Sequence, residues 1–398
     1  MSALGTTRPA AAPPLKAHEE TGTACARLLL ASIRPEVDQP ELVRAAASVI
    51  DWEDFAALSA SHDLVPLVYS RLSAACPEAV PESVLAAMRE SYLANARKSL
   101  LLTAELLRLL DAFGGLGLRV VPFKGPVLAW LAYRNPELRA FSDLDLLVGR
   151  ADFPAARRLL SAFGYATLSP ENLPGGFLDW NEELPLFNPR SGMRVDLHWR
   201  PLPAHLPSLP PEYFLEDAVP VEIDGRQVQT FAPEKTFLYL CVHGGKHAWG
   251  SLKWLADLAH LAHRRPLNWA LILAEARARR VSRFVLLTSG LLEDLLGVQC
   301  PIVPEETSAR RSRAYRIARN NLLSAARDSD RFRELRFQIR LVEPILDKCR
   351  LLGSMLAPTP LDTEKIRLPK TMFGLYYPLR LARLAVDAAG RRLRSGPR

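Results

Sequence analysis

The stretch that decides the fold is Phe141-Ser-Asp-Leu-Asp-Leu-Leu-Val148, in which two acidic residues stand at the start of a short apolar run. A run of this length is typical of a β-strand, where residues two apart point to the same face. Asp143 and Asp145 are therefore expected on one face, while Leu144 and Leu146 point to the core. Two neighbouring carboxylates raise each other's pKa unless a cation lies between them. The pattern indicates a strand with a cation-binding face, although an Asp-x-Asp pair without such a role is common.

A strand, a turn and a helix are predicted before this stretch. Leu118 to Phe123 contains a β-branched run and predicts a strand, and Val127 to Tyr133 predicts a helix. Lys124-Gly125-Pro126 lies between them and has the composition of a turn. The acidic strand then follows this helix.

A third acidic residue, Asp196, lies in a later predicted strand, Met193 to Trp199. Alternation places Val195 and Leu197 on the core-facing side, and Asp196 with His198 on the other side. A charged residue in the middle of a strand is costly unless it has a partner. Carboxylate oxygens, completed by substrate phosphates, are the ligands with which proteins usually hold Mg²⁺. Asp196 is therefore the expected third carboxylate of the site.

Together these segments resemble the core of the polymerase-β-like nucleotidyltransferase superfamily and, within it, the family of uncharacterised nucleotidyltransferases. The resemblance extends over residues 117–260 and is carried by Lys124-Gly125, Arg139, Ser142 to Val148, Asp196 to Trp199 and, more weakly, His243-Gly-Gly-Lys-His247 with Trp254 and Asp257. It departs from the superfamily pattern at the turn, which is usually Gly-Ser or Gly-Gly. The interval from the turn to the first Asp is also longer than usual.

The resemblance implies an α+β fold, with a small mixed sheet and helices, between N-terminal and C-terminal helical regions. It also implies a Mg²⁺-dependent transferase, with Mn²⁺ as the alternative ion. Such an enzyme moves a nucleoside monophosphate from a nucleoside triphosphate, here expected to be ATP, to an acceptor and releases pyrophosphate. Its catalytic and metal-binding residues are expected to be Asp143, Asp145 and Asp196. The nucleotide-binding residues are expected to be Lys124, Gly125, Arg139, Ser142, His198 and Lys246.

Several of these side chains also have a structural interpretation. Arg139 and Ser142 precede the acidic strand, where their donors reach phosphate oxygens, but an arginine there is also typical of a surface salt bridge. His198 lies either beside the metals or, as a buried histidine, in an internal hydrogen bond. Glu182 and Glu183, on the neighbouring hairpin strand, are weaker candidates to support the metal site.

A second set of candidates lies in the helical region after the sheet. His243 and His247 are four residues apart and share one helix face, but no Glu or Cys completes a zinc set. Lys246 and one of these histidines are expected to reach the triphosphate or the acceptor, and packing of the helix on the sheet is the alternative. Trp249 and Trp254 are candidates for base stacking or for core packing.

Helical periodicity occurs on both sides of the predicted strands, with a helix start at Pro81 and a single helix over 331–346. Two hairpins are predicted, one turning at Asn188 to Gly192 and one turning at Asp224-Gly225. The first residues, rich in Ala, Pro and Thr, cannot bury a core. The predicted organisation is a disordered N-terminus at 1–16, an N-terminal helical region at 17–115, a nucleotidyltransferase core at 116–232, a C-terminal helical domain at 233–366 and a basic amphipathic segment at 367–398.

Composition limits the class of protein further. The 398 residues carry a formal net charge of +8, from 51 basic and 43 acidic residues, with much of the surplus near the C-terminus. That segment is either a solvated terminus or a contact for nucleic acid or an anionic membrane surface. The 5 scattered cysteines argue against a disulfide framework and against a zinc ribbon. No apolar stretch approaches the ~18–20 residues of a membrane span, so we expect a cytoplasmic protein without a transmembrane segment.

Two functions are compatible with this sequence, and a third, nucleic-acid binding through the basic tail, has neither a helix-turn-helix signature nor an aromatic RNA-binding motif to support it. The first is an enzyme whose acceptor is a small molecule, a peptide or protein, or an RNA end. The second is a non-catalytic nucleotidyltransferase fold that serves as a binding or antitoxin-like partner module. The presence of all three carboxylates favours the enzyme, because a binding module does not need them.

Overall fold

Helices precede and follow a small mixed β-sheet in a computed structural model of the chain. It describes residues 15–49, 51–167, 177–203, 206, 209–301, 310, 312–325, 330–354, 366, 368 and 370–383. The architecture is α+β, as the sequence predicts. No helix among these residues is long and apolar enough to cross a membrane.

The helices before the sheet begin where the sequence carries start signals. They are α1 (Leu15–Ile33), α2 (Gln39–Ala47), α3 (Trp52–Ser61), α4 (Val65–Ala75) and α5 (Glu82–Gly115). The side chains of Asp38 and Asp51 accept backbone N–H bonds at the starts of α2 and α3, and Pro81 directly precedes α5. The predicted disordered N-terminus lies outside the described residues up to position 14, and α1 begins at Leu15.

The sheet places the acidic stretch next to the strand that carries Asp196. Its strands are β1 (Val120–Pro122), β2 (Asp143–Val148), β3 (Ala166–Thr167), β4 (Glu183–Asn188) and β5 (Met193–His198). Their order is β1-β2-β5-β4-β3, in which β2 and β5 are parallel and the other neighbours are antiparallel. The predicted β4–β5 hairpin is confirmed. On the face away from the carboxylates, Leu144, Leu146, Val195 and Leu197 are buried.

Short helices and a second hairpin connect the strands to one another and to the later helices. The helices are α6 (Gly125–Tyr133), α7 (Phe153–Ala162), α8 (Phe177–Trp180) and α9 (Pro211–Glu216). The hairpin, β6 (Val219–Ile223) and β7 (Arg226–Thr230), turns at Asp224 and Gly225. Both residues have positive φ, as a tight Asp-Gly turn requires, so the predicted hairpin is confirmed.

The chain after the sheet is helical in its described part. The helices are α10 (Pro233–Lys246), α11 (Leu252–Arg264), α12 (Trp269–Ala278), α13 (Ser282–Leu296), α14 (Arg313–Leu322), α15 (Arg331–Leu341) and α16 (Ile345–Ser354). A single helix over 331–346 was predicted, and this is wrong, because α15 ends at Leu341 and Pro344 separates it from α16. Of the predicted basic segment, residues 384–398 lie outside the described residues, and the rest includes a 3₁₀ helix, Lys370–Leu375.

Buried polar contacts fix the later helices against the sheet region. Arg139, in the loop before β2, donates from Nε (2.8 Å) and Nη2 (3.0 Å) to the carboxylate of Asp257 on α11. The hydroxyl of Tyr133, at the end of α6, donates to the same carboxylate at 3.0 Å. All three residues are buried. The position of α11 relative to β2 is therefore set by a charged contact in the interior.

Candidate active site

The Lys-Gly turn brings the start of α6 against the first residue of β2. Gly125 has a φ of +50°, and a Cβ at this position would lie 3.0 Å from the carbonyl oxygen of Asp143. The N–H of Phe123 donates to the carbonyl oxygen of Asp145 at 3.3 Å, so strand pairing continues up to the turn. Glycine is thus required at position 125 by both backbone conformation and space. Lys124, the preceding residue, is held beside β2.

Strand register places the acidic side chains on one face of the sheet. Asp145 lies directly opposite Asp196 in the parallel β2–β5 pair, and Asp143 lies opposite Arg194. Paired residues of neighbouring strands point to the same face, as do residues two apart on one strand. The shared face, called the acidic face below, carries Asp143, Asp145, Glu183, Arg194, Asp196 and His198.

Asp145 is paired with a lysine and a histidine. Its Oδ1 lies 2.5 Å from Lys124 Nζ and 3.1 Å from His198 Nε2. Burial alone would raise the pKa of Asp145, but the Lys124 ammonium and the His198 ring hold that pKa well below its ordinary value. His198 Nε2 also lies 3.2 Å from Glu183 Oε2. Although burial lowers the pKa of His198, these two carboxylates raise it above its ordinary value.

The other two carboxylates of the acidic face have raised pKa values. Arg194 donates from Nε (2.9 Å) and Nη2 (3.0 Å) to the two oxygens of Asp196. Burial nevertheless raises the pKa of Asp196 to about 6, against the effect of these hydrogen bonds. Burial and the charge of Asp145 also raise the pKa of Asp143. With a pKa of about 6, Asp196 can accept and release a proton near neutral pH.

The acidic face has the donor atoms that Mg²⁺ prefers, because its carboxylates offer oxygen. Register brings Asp143, Asp145 and Asp196 onto neighbouring positions of that face. Within the described part of the chain, however, no three His, Cys, Asp or Glu side chains are arranged so as to hold a metal ion. Lys124 and Arg194 neutralise two of the carboxylates instead. The residues thus fit Mg²⁺ in chemistry and in strand position, while the metal site itself stays a prediction.

Two glycines of the His-Gly-Gly-Lys-His segment allow α10 to pack closely on its neighbours. A Cβ at Gly244 would lie 2.7 Å from the ring of Trp249, and a Cβ at Gly245 would overlap the ring of Phe284. Trp249 is fully buried, which confirms the core interpretation for this residue. These glycines are explained by packing.

Tyr239 and the remaining residues of this segment form a polar stripe along α10 and its C-terminal cap. Tyr239, His243, Lys246 and His247 follow the i, i+4, i+7, i+8 spacing of one helix face. Lys246 Nζ donates to Glu182 Oε1 at 3.1 Å, across to the residue before β4. The Tyr239 hydroxyl lies 3.3 Å from His243 Nδ1. The stripe therefore joins the helical region to the edge of the acidic face.

Sequence reasoning missed two cations of this region. Arg194 could have been found, because it lies two residues before Asp196 on a strand and so shares its face. Lys253, on the first turn of α11, gave no signal in the sequence. Its Nζ lies 2.6 Å from Asp63 Oδ2 and 3.4 Å from the carbonyl oxygen of Ala140, in the loop that leads to β2.

The two residues expected to contact phosphate from the loop before β2 differ in their surroundings. Arg139 is buried in its pair with Asp257, so the surface salt-bridge interpretation is wrong: the pair is internal. Ser142 is exposed directly before β2. A phosphate contact from either residue stays a prediction.

The chain is similar to one family of known proteins and to a solved structure. A solved structure described as an antigenic nucleotidyltransferase-like protein from Paracoccidioides brasiliensis matches with a TM-score of 0.31 and 19% identity, over 50% of this chain and 94% of that one. None of the curated proteins compared with this chain matches it. The family model described as "uncharacterised nucleotidyltransferase" matches residues 48–297, which include the Lys-Gly turn, the acidic face and the α10 stripe. The chain therefore belongs to the uncharacterised nucleotidyltransferase family.

Proposed function

We propose that the protein is a Mg²⁺-dependent nucleotidyltransferase that moves a nucleoside monophosphate from a nucleoside triphosphate, ATP first among them, to an acceptor and releases pyrophosphate. The observation that supports this most is the β2–β5 register, which sets Asp143, Asp145 and Asp196 on one face. Membership of the family supports nucleotidyl transfer in general. The metal, the nucleotide and the acceptor are the proposed part.

Positioning and charge neutralisation are the main tasks of the side chains around this face. Asp143, Asp145 and Asp196 would hold Mg²⁺, which when bound neutralises and orients the triphosphate. Lys124 and Lys246 are half-buried cations at the edge of the face, where each can exchange its carboxylate partner for a phosphate oxygen. The amino end of α6, which begins at Gly125, adds backbone N–H groups that favour an anion.

Asp196 is the proposed general base. With its pKa raised to about 6, it is mostly ionised at neutral pH and can accept the proton of an acceptor hydroxyl. The hydroxyl oxygen then forms a bond to the α-phosphorus. The bond from that phosphorus to the bridging oxygen breaks, and pyrophosphate leaves with the electron pair. Arg194 must release Asp196 for this step, and its half-exposed side chain is free to turn toward solvent or phosphate.

A second candidate function, nucleotide binding without transfer, is favoured by one observation. Lys124 and Arg194 already neutralise two of the three carboxylates, as expected for a face that serves as an internal ion-pair network. A binding or partner module with this fold would retain the lysines that meet phosphate and would not need to free the carboxylates.

One experiment separates these functions. The purified protein is incubated with Mg²⁺, each labelled nucleoside triphosphate and a cell lysate as the source of acceptor, and pyrophosphate release and label transfer are followed. We expect Asp145→Asn and Asp143→Asn each to lower the rate by at least about a hundredfold. The matched control is Asp111→Asn, an exposed carboxylate on α5 that pairs only with the exposed Arg226 among the described contacts.

Equal rates in the wild type and the Asp145→Asn variant would contradict the proposed enzyme. Binding of a nucleoside triphosphate with no pyrophosphate release under any condition would favour the binding module instead. Chelation of Mg²⁺ with EDTA, followed by its restoration, tests the metal independently of any substitution.

A further inference from the structure

A continuous row of rings leads from the acidic face to α11. His198 lies 5.0 Å from Phe123, Phe123 lies 5.3 Å from Tyr239, Tyr239 lies 5.5 Å from His243, and His243 lies 5.3 Å from Trp254, measured between ring centroids. The first three rings are buried, whereas His243 and Trp254 are partly exposed. The row is therefore buried where it meets the carboxylates, at His198, and accessible to solvent at His243 and Trp254.

The open end of the row is a cluster of three rings. His247 lies 5.0 Å from His243 and 5.3 Å from Trp254, with its plane tilted by 34° from the indole. His243, His247 and Trp254, called the ring cluster below, are each partly exposed. Trp249, by contrast, is fully buried. A partly exposed indole flanked by two imidazoles has the flat apolar face on which a nucleobase stacks.

The charges of three lysines act on this cluster. Burial and the charges of His247, Lys124, Lys246 and Lys253 together lower the pKa of His243 well below its ordinary value. The three ammonium groups therefore act on one ring. His243 stays neutral at physiological pH, and the field of these lysines favours an anionic ligand beside its ring.

Lys253 connects the cluster to the acidic strand. It directly precedes Trp254 in sequence, and its Nζ lies 3.4 Å from the carbonyl oxygen of Ala140, three residues before Asp143. Its charge also counteracts the rise in the pKa of Asp143. Lys253, which also pairs with Asp63 Oδ2 at 2.6 Å, thus ties the loop before β2 to the residue next to Trp254.

We infer that the ring cluster is the nucleobase platform of the donor site and that Lys253 binds the donor's phosphates. This inference rests on the proposed function and adds the base-binding subsite to it. Stacking accepts any base because every base has a π-face. All four nucleoside triphosphates are therefore expected to bind, and purines more tightly because their two-ring face covers more of the indole.

The test is equilibrium binding, measured by isothermal titration calorimetry in the presence of Mg²⁺. The two probes are α,β-methylene-ATP, whose Pα–Pβ bridge is not cleaved, and inorganic tripolyphosphate, which has no base. The variants are Trp254→Leu, which keeps apolar packing and removes the π-face, Trp254→Phe, which keeps a smaller π-face, and Lys253→Met.

We expect Trp254→Leu to weaken binding of α,β-methylene-ATP about tenfold and to leave tripolyphosphate binding unchanged. Trp254→Phe should restore most of the loss. Lys253→Met should weaken both probes by a similar factor of about ten, because a charge-assisted contact to phosphate is lost. Unchanged thermal midpoints in these variants show that the fold is retained.

Two results would overturn the inference while leaving the proposed function intact. In the first, Trp254→Leu binds α,β-methylene-ATP as tightly as the wild type. In the second, Trp254→Leu weakens tripolyphosphate as much as it weakens the nucleotide, which indicates general damage to the site. Wild-type protein that binds neither probe would instead refute the proposed function and the inference together.

Discussion

The buried pair of Arg139 and Asp257 allows a direct test of two roles for one arginine. In the structure Arg139 makes two hydrogen bonds to Asp257, and both side chains are almost fully buried, with 6% and 0% exposed. Arg139→Met removes the arginine's charge and leaves the Asp257 carboxylate with the hydroxyl of Tyr133 as its described side-chain donor. Loss of one partner from a buried pair costs about 3–5 kcal/mol, because the other charge is left uncompensated.

The expected change in thermal midpoint follows from the size of the protein. At about 2.1 cal/mol/K per residue, a chain of 398 residues has an unfolding entropy of about 0.8 kcal/mol/K. If unfolding occurs in one transition, Arg139→Met should lower the midpoint by about 4–6 °C. Differential scanning calorimetry measures both the midpoint and whether the transition is single.

Asp257→Asn is the matched control, because it breaks the same pair from the other side and cannot itself be a phosphate ligand. If Arg139 acts only through Asp257, the two variants lose similar stability and similar affinity for α,β-methylene-ATP. A tenfold greater loss of nucleotide affinity in Arg139→Met than in Asp257→Asn would establish a phosphate contact. A midpoint within 1 °C of the wild type would refute the buried-pair argument.

Three further predictions concern backbone space and protonation. Gly125→Ala should cost about 1–3 kcal/mol in the free energy of unfolding and lower label transfer, since it strains the positive φ and presses on β2. Gly245→Ala should destabilise by about 1–3 kcal/mol in urea titrations, because its methyl group overlaps Phe284. Gly114→Ala, a helical site with open space, should instead stabilise by about 0.5–1 kcal/mol, and a change in the same direction at both sites would contradict the packing argument. Asp196 has a pKa of about 6 in the folded protein against an ordinary value of 3.8, so the folded state binds its proton more tightly and stability falls as pH rises between these values. Asp196→Asn removes this loss and should gain up to about 3 kcal/mol over the wild type between pH 4 and pH 8, and a pH-independent difference would count against the raised pKa.

Local patterns in the sequence predicted the elements of the site because they depend on neighbouring residues. Alternation in Phe141–Val148 and Met193–Trp199 predicted two strands whose acidic residues share a face, and register shows that they do. Pro81 and the Asp224-Gly225 turn predicted a helix start and a hairpin by backbone chemistry, and both are confirmed. The prediction of one helix over 331–346 was wrong because the apolar periodicity continues across Pro344, whereas the helix ends before it.

Contacts between distant segments could not be predicted, since nothing in the local pattern encodes them. Arg139 and Asp257 are 118 positions apart, and the resemblance names each of them without indicating that they pair. Lys253 carries no motif, and only the packing of α11 brings it to the loop before β2. The ion pair of Lys124 with Asp145 could not be predicted either. The sequence indicates Lys124 as a phosphate-binding residue and Asp145 as a metal-binding residue, but it does not indicate that they pair.

That ion pair explains why a lysine can stand where the superfamily usually has a small or hydroxyl residue. A buried Asp145 without a cation would be costly, and Lys124 supplies that cation. Although burial lowers the pKa of Lys124, the Asp145 carboxylate in turn raises that pKa above its ordinary value. In the proposed function, a triphosphate that binds with its own cation lets Lys124 pass from the Asp145 carboxylate to a phosphate oxygen. Lysine suits this exchange better than arginine, because its ammonium is a single point charge on a flexible stem and is not fixed by a two-point hydrogen-bond geometry. Arg194, which holds Asp196 by such a two-point contact, is correspondingly the more demanding partner to displace. In the proposed reaction, Arg194 must therefore give up two hydrogen bonds before Asp196 can accept a proton, whereas Lys124 gives up a single ion pair.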